Sequence, residues 1–326
     1  MVQEGQVAQF SGGYGVPGPR RRRGIAADNS AMHTTLPLRH FLLALAVVAV
    51  WGTNFVVIKL ALGQMPPLLF ATLRFALAVF PAIVFLPRPA VGWGNLAAYG
   101  LLIGVGQFGL MFVAMNGHIS PGLASLVVQT QVFFTIGMAM VIGRERLARL
   151  QWVALALATG GIAVIVAHTD GSTTPWGLGL TLLAALSWAG GNIVSRRAGP
   201  INMVAYVVWS SLFAVPPLAL LCLASEGWGA ISAALAGAGA GTWAAVAWQA
   251  AANALFGYAA WGWLLGRYPA ATVTPMALLV PVFGMGGSAL WLGESLPAWK
   301  LAAAALVLGG LALNLLWPRI RQWSRR

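Results

Sequence analysis

Charge is the scarcest property of this sequence. Lys, Arg, Asp and Glu together make up 8% of its 326 residues, against roughly 25% in a soluble globular domain. A chain with so few charges cannot cover a water-facing surface, so lipid must solvate most of it. Acids are scarcer still: there are six, and none lies deep inside an apolar run. A proton pump ordinarily runs on an intramembrane acid or histidine chain. The four histidines, His33, His40, His118 and His168, lie in the amino-terminal segment or at run ends, none at ligand spacing from another. A metal centre and a hydrolytic triad lose their ligands and bases for the same reason. The single cysteine, Cys222, excludes an intramolecular disulfide. No catalytic residue, no metal and no cofactor is expected.

What is abundant is apolar: 59% of residues, with 40 glycines and 15 tryptophans and a mean hydropathy of +0.81. A helix needs about 20 apolar residues to cross the hydrocarbon core. Ten such runs are present, at 40–62, 67–87, 95–116, 120–142, 150–168, 176–195, 203–225, 242–265, 270–292 and 298–317. Backbone groups cannot stay unpaired in lipid, so the runs are expected to be helices. They lack the alternation of a membrane barrel. Pro66, Pro121, Pro175, Pro269 and Pro297 fall at run starts, where a helix tolerates proline because its first N–H groups lack partners.

The net charge of +13 is distributed by topology rather than over one face, which argues against nucleic acid. With the amino terminus in the cytoplasm and ten spans threaded, the inside segments hold Arg20 to Arg23, Arg39, Arg88, Arg144, Arg146, Arg149, Arg196, Arg197, Arg267, Arg319, Arg321, Arg325 and Arg326. These are sixteen of the nineteen basic residues. The outside loops hold Asp170, Glu226 and Glu294. Basic residues collect in cytoplasmic loops, so both termini are expected in the cytoplasm. Residues 1–38, rich in Gly, Pro and Arg, read as a disordered basic cytoplasmic tail, and 319–326 as a basic carboxy-terminal tail.

Between the tails the chain repeats. Glu145, Leu147, Gly160, Gly161 and Ala163 recur as Glu294, Leu296, Gly309, Gly310 and Ala312, each displaced by 149 residues. The reading is two five-helix halves, 39–170 and 171–318. Five is odd, so the second half must enter the membrane inverted, a construction common in secondary transporters. The fold class expected is thus all-α: a polytopic membrane protein of ten helices in two inverted repeats.

Polar residues at membrane depth are few. Lys59 lies in the outer end of the first run and Arg74 about 12 Å into the second; each either snorkels to the headgroups or holds an anionic group such as a carboxylate. Rows four residues apart share a helix face: Gln249 with Asn253, Trp188 with Asn192, Ser125 with Gln129. Each row either lines a cavity or bonds neighbouring helices. The expected substrate site is Asn54, Lys59, Arg74, Gln129, Trp188, Asn192 and Asn253. Glu145 and Glu294 start the fifth and tenth runs, as favourable helix-terminal carboxylates or as a gating pair. Gly100 with Gly104 and Gly262 with Gly266 have the spacing of close helix packing.

Several segments resemble one family. Trp51 to Lys59 (WGTNFVVIK), Pro66 to Leu68 with Arg74 and Phe75, Pro121 to Phe134 (PGLASLVVQTQVFF), Leu265 to Tyr268 (LGRY) and Pro275 to Pro281 (PMALLVP) are similar to the EamA family of the drug/metabolite transporter superfamily, across residues 40–317. The family's Gly-Glu-Arg-Leu appears here as Gly143 to Leu147 with Arg144 inserted, and as Gly293 to Leu296 without the arginine. The resemblance implies a multi-pass carrier of the bacterial inner membrane. It would export small amino-acid-like metabolites of the cysteine and O-acetylserine class by alternating access, with the lipid bilayer and a small molecule as its partners. A carrier for a drug or sugar derivative, a passive channel and an intramembrane enzyme are the rival readings. The enzyme lacks convergent acids, histidines or a nucleophile and base.

The topology is testable by surface labelling. A cysteine placed near Asp170 should react with an impermeant reagent from outside the cell, and one near Arg197 should not; external reaction at Arg197 overturns the orientation.

Overall fold

The computed structural model describes residues 36–143, 149–169 and 172–323; Arg20 to Arg23, Glu145 and Asp170 lie outside them. Nine helices among the described residues are long and apolar enough to cross a membrane: α1 Leu38–Leu62, α2 Pro67–Phe85, α3 Trp93–Met115, α4 Pro121–Ile142, α5 Leu150–Ala167, α6 Pro175–Arg197, α7 Met203–Ser225, α9 Thr274–Leu292 and α10 Ala298–Leu316. The tenth, α8, runs Ala240–Arg267 and meets a short helix, Gly227–Gly237, at a bend of 103°. The short helix was expected as loop. It is apolar, but a run of eleven residues is too short to span. Prolines stand in the first turns of α2, α4 and α6, where the sequence placed them.

The helix ends sort into two groups. Arg88, Arg196, Arg197 and Arg267 lie at one end, and Glu226 and Glu294 at the other. The principal packings cross between residues 38–167 and 175–316: α5 on α10, α2 on α7, α1 on α9 and α8, α6 on α4 and α3. The α5–α10 contact depends on missing side chains. A Cβ on Gly161 would meet Val307 Cγ2 at 2.6 Å and the Ala303 carbonyl at 3.0 Å; one on Gly310 would meet the Ala154 carbonyl at 2.5 Å. Gly100 and Gly104 likewise lie against Ser210 and Ala214 of α7, whereas Gly262 and Gly266 have no such close neighbour.

Four helices depart from α geometry. Leu101–Gly109 of α3 and Gln249–Phe256 of α8 are π-helical; Val128–Thr130 of α4 and Thr274–Leu279 at the start of α9 are 3₁₀. The two π segments and the two 3₁₀ segments each recur at nearly the displacement of the sequence repeat.

Overpacking a close helix contact costs about 1–3 kcal/mol. Gly161→Leu and Gly310→Leu should lower the thermal unfolding temperature of the solubilised protein, while Gly160→Leu and Gly309→Leu, which face open space, should leave it nearly unchanged. Equal effects at all four positions would contradict this packing.

Candidate functional site

The two ends of the bundle are built differently. Every span adds its acid-side half to one large core, in which Phe55, Ile58, Phe70, Phe112, Met115 and Leu126 are buried. The arginine-side half has three separate smaller clusters: Ala44, Val48 and Leu264; Leu96, Tyr99 and Tyr206; and Phe133, Ala158 and Leu311. Between these clusters lies a cavity of about 410 Å³, reaching from Met111 and Phe55 near mid-depth to Ser195, Met203 and Leu315 near the arginine-rich end.

Five of the seven expected site residues line it: Asn54, Gln129, Trp188, Asn192 and Asn253. The non-α segments supply much of the wall, with Gln107 and Phe108 from the α3 segment, Asn253 from α8, Gln129 from α4 and Thr274 and Leu278 from α9. A π or 3₁₀ turn shifts the register of a helix, so polar side chains and carbonyls turn toward the cavity. One such carbonyl, that of Asn253, accepts from Trp51 Nε1 at 3.1 Å. The Asn192 amide donates to Gln131 Oε1 at 2.8 Å and Thr135 Oγ1 at 3.2 Å; Asn253 donates to Gln249 at 3.3 Å. Asn54 Oδ1 and Gln107 Oε1 are buried acceptors with no partner in the protein. An unpaired buried polar group costs about 1–3 kcal/mol, and here two such acceptors stand in one cavity wall.

Gln107, Trp51, Gln131 and Tyr258 are wall residues that the sequence reading did not select. Gln107 had a usable signal, as the one strongly polar side chain in the middle of α3. Trp51 stood in a family-like segment.

The two cations part company with the cavity. Lys59 does not line it; it lies half-buried in the last turn of α1, where carbonyl ends favour a cation. Arg74 is 2% exposed and sits behind the wall, against a separate void of about 10 Å³. Its Cζ lies 3.7 Å from the Phe108 ring centroid and 4.5 Å from that of Phe75. Desolvated cation–π contacts are worth about 2 kcal/mol, against several kcal/mol for burying an ion, so the rings offset part of the penalty. Tyr99, Phe108 and Tyr258 belong to both the cavity wall and the Arg74 void.

At the acidic end, two carboxylates join the halves of the chain. Glu226 accepts from the Leu68 and Leu69 N–H groups at 2.6 and 3.0 Å, capping α2, whose own N-cap, Pro66, makes no side-chain bond. Glu294 accepts from Ser120 Oγ at 2.5 Å, from the Gly122 N–H at 2.9 Å and from Ser288 Oγ, so it caps α4. It also pairs with Lys300 at 2.9 Å. Burial alone raises the Glu294 carboxyl, but the bonds from Ser120, Ser288, Lys300 and Gly122 outweigh it and hold the group below its ordinary 4.5. Its stabilisation is therefore present above 4.5 and lost as pH falls through the lowered value.

The EamA-like transporter family model matches twice, at residues 38–167 and 175–316. A protein of Salmonella typhimurium called "Probable amino-acid metabolite efflux pump" is 43% identical over 289 residues, 87% of this chain and 97% of that one. Its Escherichia coli namesake is 40% identical over 286 residues, 86% and 96% of the two chains. A second Escherichia coli protein, "Uncharacterized inner membrane transporter YedA", is 32% identical over 180 residues, 52% of this chain and 57% of that one. One crystal structure superposes with a TM-score of 0.56 at 18% identity, over 86% of this chain and 98% of its own, which speaks for the fold alone. With both halves matched and relatives aligned along nearly their whole length, the chain belongs to the EamA-like transporter family.

Proposed function

We propose that this protein exports small amino-acid-like metabolites, of the cysteine and O-acetylserine class, across the bacterial inner membrane by alternating access. The observation that carries the reading is the cavity, with two unpaired amide oxygens, Asn54 Oδ1 and Gln107 Oε1, in an uncharged wall of amide, hydroxyl, aromatic and aliphatic groups. An ammonium needs acceptors, and the wall offers amide oxygens where it has no carboxylate. Its volume falls in the range of small-molecule sites, about 300–1,000 Å³. The names of the two long-matching relatives support the substrate class, and the inner membrane is that of the YedA relative.

The two family matches, the recurrence of π and 3₁₀ segments and the crossed helix packing support the duplicated, inverted reading. With the arginine-rich end in the cytoplasm, the cavity is loaded from the cytoplasmic side. The acid-side core and the Glu226 and Glu294 caps close the outer end. Export then requires those caps to part while the three arginine-side clusters close over the substrate. The cavity lining holds no acid, histidine or thiol, so nothing there favours an intramembrane enzyme.

Exchange by the purified protein in liposomes tests this. Labelled cysteine should leave loaded vesicles along a saturable curve and accelerate when external amino acid is supplied; unsaturable flux would make it a channel. A hydrogen bond to a charged group is worth about 1.5–3 kcal/mol, or roughly ten- to a hundred-fold in affinity. Asn54→Ala and Gln107→Ala should each raise the half-saturating concentration by about tenfold or more, with unfolding temperature little changed. Unaltered half-saturation in both variants removes the ammonium assignment.

The outer closure has its own test. In a chain lacking Cys222, a cysteine at Met111, now buried beneath the acid-side core, should react slowly with an impermeant reagent from outside. Glu294→Gln should speed that reaction severalfold; no change would exclude the carboxylate as part of the closure.

A further inference from the structure

Arg74 is a cation without a counter-charge among the described residues. The acids described are Glu226 and Glu294, and both are engaged at the acidic end. Arg74 Nε and Nη1 are buried and have no hydrogen-bond partner. A second unpaired donor, Ser210 Oγ on α7, is 1% exposed and lines the same void. Tyr258, also on that wall, is hydrogen-bonded to Tyr99. Three donors from α2, α7 and α8 thus surround a space of about 10 Å³, which admits about one water-sized atom. Nothing on this wall is an acceptor bearing charge. A guanidinium with free N–H groups and two neighbouring hydroxyls is the donor set that a single anionic oxygen or a halide requires.

We propose that Arg74, Ser210 and Tyr258 form an anion subsite beside the cavity, reached through the shared wall of Tyr99, Phe108 and Tyr258, and that it takes one small anionic group. Two sources have that chemistry: the carboxylate of a transported amino acid, an assignment that rests on the function proposed above, and free chloride, which does not.

Two measurements on the purified full chain separate them. In liposomes, half-saturation is compared for alanine and for ethylamine, which lacks the carboxylate. If the substrate fills the subsite, the wild type should favour alanine at least tenfold, and Arg74→Gln, Ser210→Ala and Tyr258→Phe should each erase most of that preference. The last two are near-isosteric and keep the comparison valid where Arg74→Gln does not fold. In detergent, thermal unfolding is followed as chloride replaces gluconate at constant ionic strength. If chloride fills the subsite, it should raise the wild-type unfolding temperature but not that of the Ser210→Ala and Tyr258→Phe variants. The second measurement reads the subsite even where no amino acid is transported, so failure of the functional reading and failure of the subsite remain distinguishable. Variants that keep the wild-type preference, together with an unfolding temperature indifferent to chloride, overturn the proposal.

Discussion

The Glu294 carboxylate is the tie on which the closed end of this molecule depends. In a bilayer the first N–H groups of a helix have no water to turn to, and α4 begins at Pro121 with no side-chain cap from its own N-cap residue, Ser120. Glu294 meets the Gly122 N–H and the Ser120 hydroxyl while Lys300 neutralises it. Glu226 does the same for α2. Both acids lie in the second matched segment and both capped helices in the first, so the caps bind one half to the other. Charge-assisted bonds of this kind are about twice as strong as neutral ones. They are also polar and local, so they can break as a unit, which an interdigitated apolar seam does not do readily.

The cavity follows from a different constraint. A regular α-helix spends its carbonyls on itself, and a wall of such helices would offer only side chains. Here α3, α4, α8 and α9 give up α geometry at the depth of the cavity. The departures bring Gln107, Gln129, Asn253 and Thr274 to one surface and leave the Asn253 carbonyl for Trp51. Glycine, numerous in the sequence, is then the means of tightening the remaining contacts, as at Gly161 and Gly310 against the facing helix. The bundle is close-packed where it must seal and irregular where it must bind.

Much of this was legible in the sequence, and for identifiable reasons. Apolar runs of about 20 residues with few charges admit only membrane helices, so the spans were readable to within a few residues. Asn192 and Asn253 were found because i and i+4 residues share a face. Gln107 was missed because it stands alone on α3, with no partner four residues away. The place of Lys59 outside the cavity lining was not legible, because a cation near a span end fits either a ligand or the carbonyl end of its own helix. Arg74 was correctly marked as a deep cation, but its place behind Phe108 and Tyr258 is set by tertiary packing. The π and 3₁₀ segments have no sequence signature that the reading could use, since they arise where neighbouring helices reshape the backbone.

The proposed transport cycle opens one cavity to alternate sides by two ends that move in opposition. Spin labels report this directly. One pair would sit at Asn116 and Ser295, beside the Glu294 cap, and another at Arg39 and Arg197, at the arginine-rich end; all four positions are exposed. On adding substrate to the reconstituted protein, the first pair should gain a longer distance population while the second gains a shorter one, and Glu294→Gln should shift the balance in the same sense without substrate. Distances at both ends that stay fixed while labelled amino acid is exchanging would contradict the account.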